Sequence, residues 1–373
     1  MDFRPKEEQI PELLNFLKTA SLPNFFLRFY IDPMKKFQLK EDLFGGILSS
    51  IAQNTSIKKF TTDIRGDTAN FASSPAAINP FHYLEASSIE NLCVGSHWLS
   101  FLDAPSPSGM AKSEHDKQLS WYFAPKSVKR LKVYNQNNGS TSRFGKFLLA
   151  SLVGNCFLET LEIIGLSLNA HCTSEFRKLH EMTSLQTLRF RRNLLIHNNF
   201  ENILLPPHLE TLDLSENPLG QGDYSWTDHP LKTLLLRKCA LSAFVKGLPK
   251  SIETLDVSEN QNMVTSVWLQ KLNSFERLAT LKMTNVIVNS MKVFADFIMQ
   301  NKTVKHLEMF EESTFRENDC IKIVEAIRNN STLVFLDYRF AIHFLTLPVC
   351  DHIQEILDTN SRLNSGRLTK GRR

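Results

Sequence analysis

The chain has 373 residues, a net charge of +4 and 42% hydrophobic content with 27 Phe, enough to build a large core. It lacks the run of about 18 apolar residues that a membrane span needs, and its start, MDFRPKEEQIPELL, places charges where a signal peptide has its apolar segment. The six cysteines (Cys93, Cys156, Cys172, Cys239, Cys320, Cys350) are scattered without a C-x-x-C pair, so free thiols are expected, in the cytoplasm or alternatively the nucleus.

In chain order, residues 1–56 read as an N-terminal cap and first helical unit, with an amphipathic helix near Glu7 to Thr19 and a second in DLFGGILSSIAQN. A faint apolar pair, Ile57/Phe60, is followed by the loop RGDTANFASSPAAINPFHY. Then comes Ile89/Leu92/Val94, and after it a Pro/Ser-rich surface insertion beginning SFLDAPSPSG. Val128/Leu131/Val133 precedes a helical stretch, SRFGKFLLASLVGN. Four stronger copies of one pattern start at Leu158, Leu185, Leu209 and Leu231, and LETLDLSENPL at Leu209 returns as IETLDVSENQN at Ile252. Weaker copies start at Leu278, Val304 and Leu333, with helical periodicity in NSMKVFADFIMQN and CIKIVEAIRNN between them. Residues 57–345 thus hold about 11 repeats, 346–364 form a C-terminal cap containing a helix and an aborted repeat, and 365–373 a basic disordered tail.

The pattern is L-x-x-L-x-L-x-x-N-x-L, matched in full by Leu185/Leu188/Phe190/Asn193/Leu195, by Leu209/Leu212/Leu214/Asn217/Leu219 and by Leu231/Leu234/Leu236/Cys239/Leu241. The chain therefore resembles a leucine-rich-repeat protein, and its mixed repeat length resembles the ribonuclease-inhibitor-like and CARMIL-type repeats. The resemblance implies an α/β leucine-rich-repeat solenoid, a curved horseshoe with a parallel β-sheet on the concave face. Long repeats return through helices on the convex face; repeats of 21 to 24 residues have room only for 3₁₀ or extended returns. Positions 4 and 6 point into the core, the position 9 Asn or Cys satisfies backbone groups inside the turn, and positions 2, 3, 5, 7 and 8 face outward.

An Asn stands three residues before the first apolar position at Asn54, Asn155, Asn301 and Asn330, and again at Asn360 before Leu363. Because Asn tolerates the left-handed conformation that ends a helix, it reads as a C-terminal signal. Asn54, Asn301 and Asn330 also begin N-x-S/T sequons, for which the structural reading is preferred.

Outward positions form rows across the expected sheet. Position 3 repeats Thr160, Thr187, Thr211, Thr233, Thr254 and Thr280. Position 8 reads Arg192, Glu216, Lys238 and Glu259; position 2 reads Glu210, Lys232 and Glu253; position 5 reads Arg189, Asp213, Leu235, Asp256, Lys282 and Glu308. The alternating signs suggest lateral charge compensation, and the two near-identical copies then exist because both flank a basic strand. Bases interleaved with acids make a nucleic-acid surface unlike the arrangement phosphates need, although Lys129, Arg130 and Lys132 form a small basic strand.

No metalloprotease, P-loop or nucleophile-elbow motif is present, the eleven His residues show no metal spacing, and no metal or cofactor is expected. Near the C-terminal end, Phe310, Phe335 and Phe340 are placed on the concave side, flanked by Glu308, Glu311, Asp337 and Arg339. Such rings make either the centre of a protein-binding site or a seat for the cap. The reading is a non-enzymatic, monomeric protein–protein interaction scaffold with no membrane partner. The alternatives are a GTPase-activating or actin-regulatory (CARMIL-type) repeat protein and, third, a nucleic-acid-associated scaffold.

Overall fold

The computed structural model describes residues 9–30, 41–65, 84, 87–95, 127–135, 142–153, 155–168, 172–200, 203–309, 317–337 and 347–370. The loop after Arg65 and the Pro/Ser-rich insertion lie outside the described residues, apart from their edges. The elements are α1 (Ile10–Thr19), β1 (Asn24–Tyr30), α2 (Glu41–Gln53), β2 (Lys59–Arg65), β3 (Asn91–Gly95), β4 (Arg130–Tyr134), α3 (Ser142–Leu152), β5 (Thr160–Ile164), α4 (Thr173–Phe176) and β6 (Thr187–Arg191). There follow β7 (Thr211–Asp213), β8 (Thr233–Leu235), β9 (Thr254–Asp256), α5 (Thr265–Leu272), β10 (Thr280–Lys282), α6 (Met291–Gln300), β11 (His306–Glu308), α7 (Glu317–Arg328), β12 (Phe335–Asp337) and α8 (Leu347–Lys370).

Among the described residues, twelve strands make an open α/β sheet whose order follows the chain and whose strands pair parallel. Two compact units divide it: Met1–Leu194 with Pro206–His208, and Leu195–Leu205 with Leu209–Arg373. Within each strand, side chains alternate between the core and the open face. In the first unit Leu131, Leu161 and Leu188 (position 4) with Val133, Ile163 and Phe190 (position 6) are buried; in the second, Leu212, Leu234, Leu255 and Leu281 with Leu214, Leu236, Val257 and Met283 are buried.

β1 is the repeat that the motif search does not find. Leu22, Phe25 and Leu27 fill positions 1, 4 and 6, Asn24 pairs with Lys59, and the Phe25 ring stacks on Phe60 at 6.0 Å. Aromatic substitution hides the apolar skeleton there. The four helices expected in DLFGGILSSIAQN, SRFGKFLLASLVGN, NSMKVFADFIMQN and CIKIVEAIRNN all form, and the returns of the repeats starting at Leu209 and Leu231 contain no α-helix. Aromatic side chains fill the layer instead: Trp226 donates its indole N–H to the Ile203 carbonyl at 3.2 Å and stacks against Tyr224 at 4.3 Å, with Phe200 edge-on.

Two asparagine ladders hold successive repeats together. In the inner one, the Asn260 amide donates to the carbonyls of Leu236, Val257 and Ser258 and accepts from the N–H groups of Cys239 and Leu241. Asn193 does the same with Ile163, Arg191 and Leu166, and the Cys239 thiol donates to the Leu214 carbonyl at 3.2 Å. In the outer ladder, Asn54 donates to Leu17 and Ala20, Asn330 to Ile298 and Asn301, and Asn360 to Asn330 and Leu333.

The outer ladder corrects the expected role of these residues. Asn301 ends α6 in extended conformation (φ −71°, ψ 129°), so its side chain, not a left-handed backbone, makes the cap. Asn54, Asn301 and Asn330 are buried, with the amide nitrogen a glycan would need already donating inside. Asn360 performs the same task from within α8, a continuous helix where an aborted repeat was expected and which runs on to Lys370.

The left-handed residues lie elsewhere. Position 8 has positive φ in each repeat from Leu158 to Leu278: Gly165 (71°), Arg192 (54°), Glu216 (61°), Lys238 (54°), Glu259 (59°) and Asn285 (55°). Asp213 and Asp256 prepare this turn by accepting the N–H of Ser215 and Ser258 at 3.0 and 2.9 Å. The repeated D-x-S-E-N is thus a turn sequence, which accounts for the near-copy more directly than charge compensation does. Since an L-residue in this region costs about 1–2 kcal/mol, Lys238→Gly is expected to keep or raise the urea midpoint, and Lys238→Val to lose about 1 kcal/mol or more. Equal midpoints for the two variants would show that this turn imposes no such constraint.

Candidate binding face

The face opposite the core carries positions 3 and 5 of each strand, mostly half-exposed or exposed and mainly Thr or charged, with Asp213 buried among them. In the first unit, Glu162 on β5 lies between Lys132, at 3.4 Å, and Arg189, whose guanidinium donates to it. Beside the strands, Lys129 approaches Glu90 at 3.7 Å. In the second unit, Lys282 meets Glu308 at 2.7 Å and Lys232 meets Glu210 at 2.6 Å. The hydrogen bond that the Lys232 ammonium donates to Glu210 holds its pKa above the ordinary value. Positions 2 and 5 therefore do pair laterally at these sites.

Position 8 behaves differently from the expected row. Glu259 is held by Arg237, from position 7 of the neighbouring repeat, and this bond raises the guanidinium pKa. Lys238 makes no ion pair among the described residues, and Arg192 reaches across the Gly165 turn of the preceding repeat to donate to the Asn135 carbonyl at 3.1 Å. The left-handed backbone at position 8 redirects the side chain, so equal repeat positions do not meet as they do within the strands. Glu216 contributes to the field that stabilises the Arg237 cation, again a residue of the adjacent row.

Of the aromatic cluster, Phe335 falls within the described residues. It projects from position 3 of β12, 45% exposed, beside His306 of β11 with ring centroids 6.1 Å apart. Glu308 and Asp337 face each other in register one position pair further on. Phe310, Glu311, Arg339 and Phe340 lie outside the described residues. The structure thus brings together Phe335, His306, Glu308 and Asp337, with Lys282 bound to Glu308.

Chemically, this face offers hydrogen bonds, ion pairs and one aromatic edge. Among the described residues no group of three or more His, Cys, Asp or Glu side chains converges as a metal site would, and no helix is long and apolar enough to cross a membrane. Cys239 is not on the face: burial pushes its thiol pKa up to about 12, which removes the thiolate needed for nucleophilic chemistry. Sequence reading underweights Lys58 and Lys59, which stand exposed on the first unit with β3 between them and the Arg130–Tyr134 strand. The signal was their place at positions 2 and 3 of the faint Ile57 repeat.

No family model matches the chain, and comparison with curated proteins gives no match. Among solved structures, the chain is similar to the leiomodin-1 actin-binding site 2, with 14% identity, 33% of this chain and 72% of that chain covered and a TM-score of 0.28. It is also similar to the yeast Rad7–Elc1 complex, with 14% identity, 81% and 76% covered and a TM-score of 0.42. Likenesses of this size assign neither family nor partner.

Proposed function

We propose that the chain is a non-catalytic scaffold that binds a partner protein through the open face of its repeat sheet. The observation that carries this reading is the side-chain alternation of the strands. One side is closed over by the core, while the other keeps Thr hydroxyls, ion pairs and the Phe335 ring in solvent. A ring left 45% exposed on a sheet is a ready contact for a covering surface. Exposed groups are spread over many strands, as in an extended docking surface rather than a concave reaction pocket.

The test is site-specific photo-crosslinking in cells, with p-benzoylphenylalanine at Thr233 on the face or at Lys292 on the exposed side of α6. One discrete adduct from Thr233 and none from Lys292 is expected; equal capture from both removes the reading. With the partner in hand, Phe335→Ala is expected to weaken binding roughly tenfold to a hundredfold, from the 1.5–3 kcal/mol that burying the ring contributes. Its melting temperature should be unchanged, because the core contacts of Leu307 and Leu336 remain. A lowered melting temperature with unchanged affinity would assign the ring to internal packing.

A further inference from the structure

We infer that the sheet face of the first unit, centred on Lys59 and Arg130, binds an acidic extended segment of a partner polypeptide. The inference rests on the scaffold reading and narrows it to one face and one chemistry. The asymmetry between the two units carries it. In the second unit Lys232, Arg237 and Lys282 each have a carboxylate partner, Lys238 and Lys305 have none among the described residues, and at positions 3 and 5 the carboxylates Asp213, Asp256, Glu308 and Asp337 outnumber the single cation Lys282. In the first unit Lys58, Lys59 and Arg130 are exposed and make no ion pair among the described residues, while Lys132 and Arg189 share one carboxylate, Glu162. Among the described residues, positive charge is left uncompensated there.

Register turns this excess into a pattern. Lys59, Asn91 and Arg130 occupy the same position on β2, β3 and β4, so the two cations stand about 10 Å apart at the spacing of adjacent strands. Lys132 projects from the same side of β4 two residues beyond Arg130, about 7 Å along the strand. Acidic residues at alternate positions of an extended chain have that same separation of about 7 Å. Asn91 and Thr160, the register neighbours of Arg130, supply hydrogen-bonding groups between and beside the charges.

A single-stranded nucleic acid fits the face less well. Glu162 sits within it and would oppose an evenly charged phosphate backbone, whereas a peptide can place a neutral or basic residue there. The aromatic side chains of the face, Phe26 on β1 and Tyr134 on β4, come from strands that are not neighbours. Tyr134 also donates its hydroxyl to the Thr62 carbonyl at 3.0 Å.

Fluorescence anisotropy with the full chain tests the inference, using a labelled peptide of alternating Glu and Ser, its Gln/Ser counterpart, and a single-stranded RNA carrying equal negative charge. The Glu/Ser peptide should bind more tightly than either, with affinity falling as salt rises. Lys59→Glu combined with Arg130→Glu should weaken it at least about tenfold, with an unchanged melting curve, and Lys232→Glu in the second unit should not. Preference for the RNA, indifference to the double variant, or equal loss from Lys232→Glu would overturn the inference. If the peptide fails while face-specific crosslinking from Thr233 persists, the inference alone falls; if that crosslinking is absent, the scaffold reading falls with it.

Discussion

Asn260→Ala is expected to lower the unfolding free energy by about 3–5 kcal/mol, read as a large fall in the urea midpoint. The alanine removes three donated and two accepted hydrogen bonds, all in the buried turn between the repeats that start at Leu231 and Ile252. The Cys239 and Leu241 N–H groups and the Leu236 carbonyl then lose this partner inside the protein, and each buried polar group left unsatisfied costs about 1–3 kcal/mol. Water entering the vacated space recovers part of this, which keeps the total below the simple sum. Asn260→Cys provides the internal comparison. At Cys239 a thiol already occupies the same repeat position and donates to a backbone carbonyl, but it replaces only part of what an amide does. The cysteine variant should therefore fall between wild type and alanine. An alanine variant within about 1 kcal/mol of wild type would show that the ladder bonds are readily replaced by solvent.

The inner ladder was legible because its residue type and spacing are both fixed: an amide at position 9, three residues past an inward leucine or valine, has one geometric use. The outer ladder was legible in position and misread in mechanism. Asn301 marks the end of α6 as expected, yet nothing in the letters distinguishes an Asn that bends its own backbone from one whose side chain reaches into the preceding repeat. β1 escaped because Phe25 stands where the pattern has leucine, and a ring at position 4 reads as part of an aromatic cap. The charge rows were half legible. Residues inside the strands keep the lateral neighbours their repeat position implies, as Glu162 and Arg189 do, whereas one step into the turn the backbone adopts positive φ and that inference fails, as it does at Lys238. For the proposed binding face, the sequence places Phe335 at an outward position of its repeat, where the structure also has it. Lys58 and Lys59 belong to a repeat too degenerate to align by eye, and only the register of β2 with β3 and of β3 with β4 places Lys59 level with Arg130 across β3.

Gly247→Ala is expected to cost at least about 3 kcal/mol, through a contact that no repeat pattern announces. The repeats starting at Leu209 and Leu231 have no return helix, and their backbones approach each other directly: Asp223 bridges Lys246, the Tyr224 N–H donates to the Lys246 carbonyl at 3.0 Å, and the Trp226 N–H to the Gly247 carbonyl at 3.2 Å. Gly247 has φ +72°, and a Cβ there would lie 1.5 Å from the Tyr224 carbonyl oxygen and 2.6 Å from its carbon. Neither atom belongs to a flexible side chain, so the two backbone segments must separate. Separation strains both hydrogen bonds and disturbs the stack of Tyr224 on Trp226, the aromatic layer that stands in place of a helix. Conformational strain and steric displacement therefore add at this position. Gly220 separates the two contributions, since it also has positive φ (+65°) but nothing within 4 Å of the added carbon. Gly220→Ala should lose only the backbone term, about 1 kcal/mol, while Gly247→Ala loses several times as much, with both read from urea unfolding followed by tryptophan fluorescence. Equal losses at the two glycines would mean that the close approach of the two returns is not maintained in solution, and that the aromatic layer alone holds these repeats together.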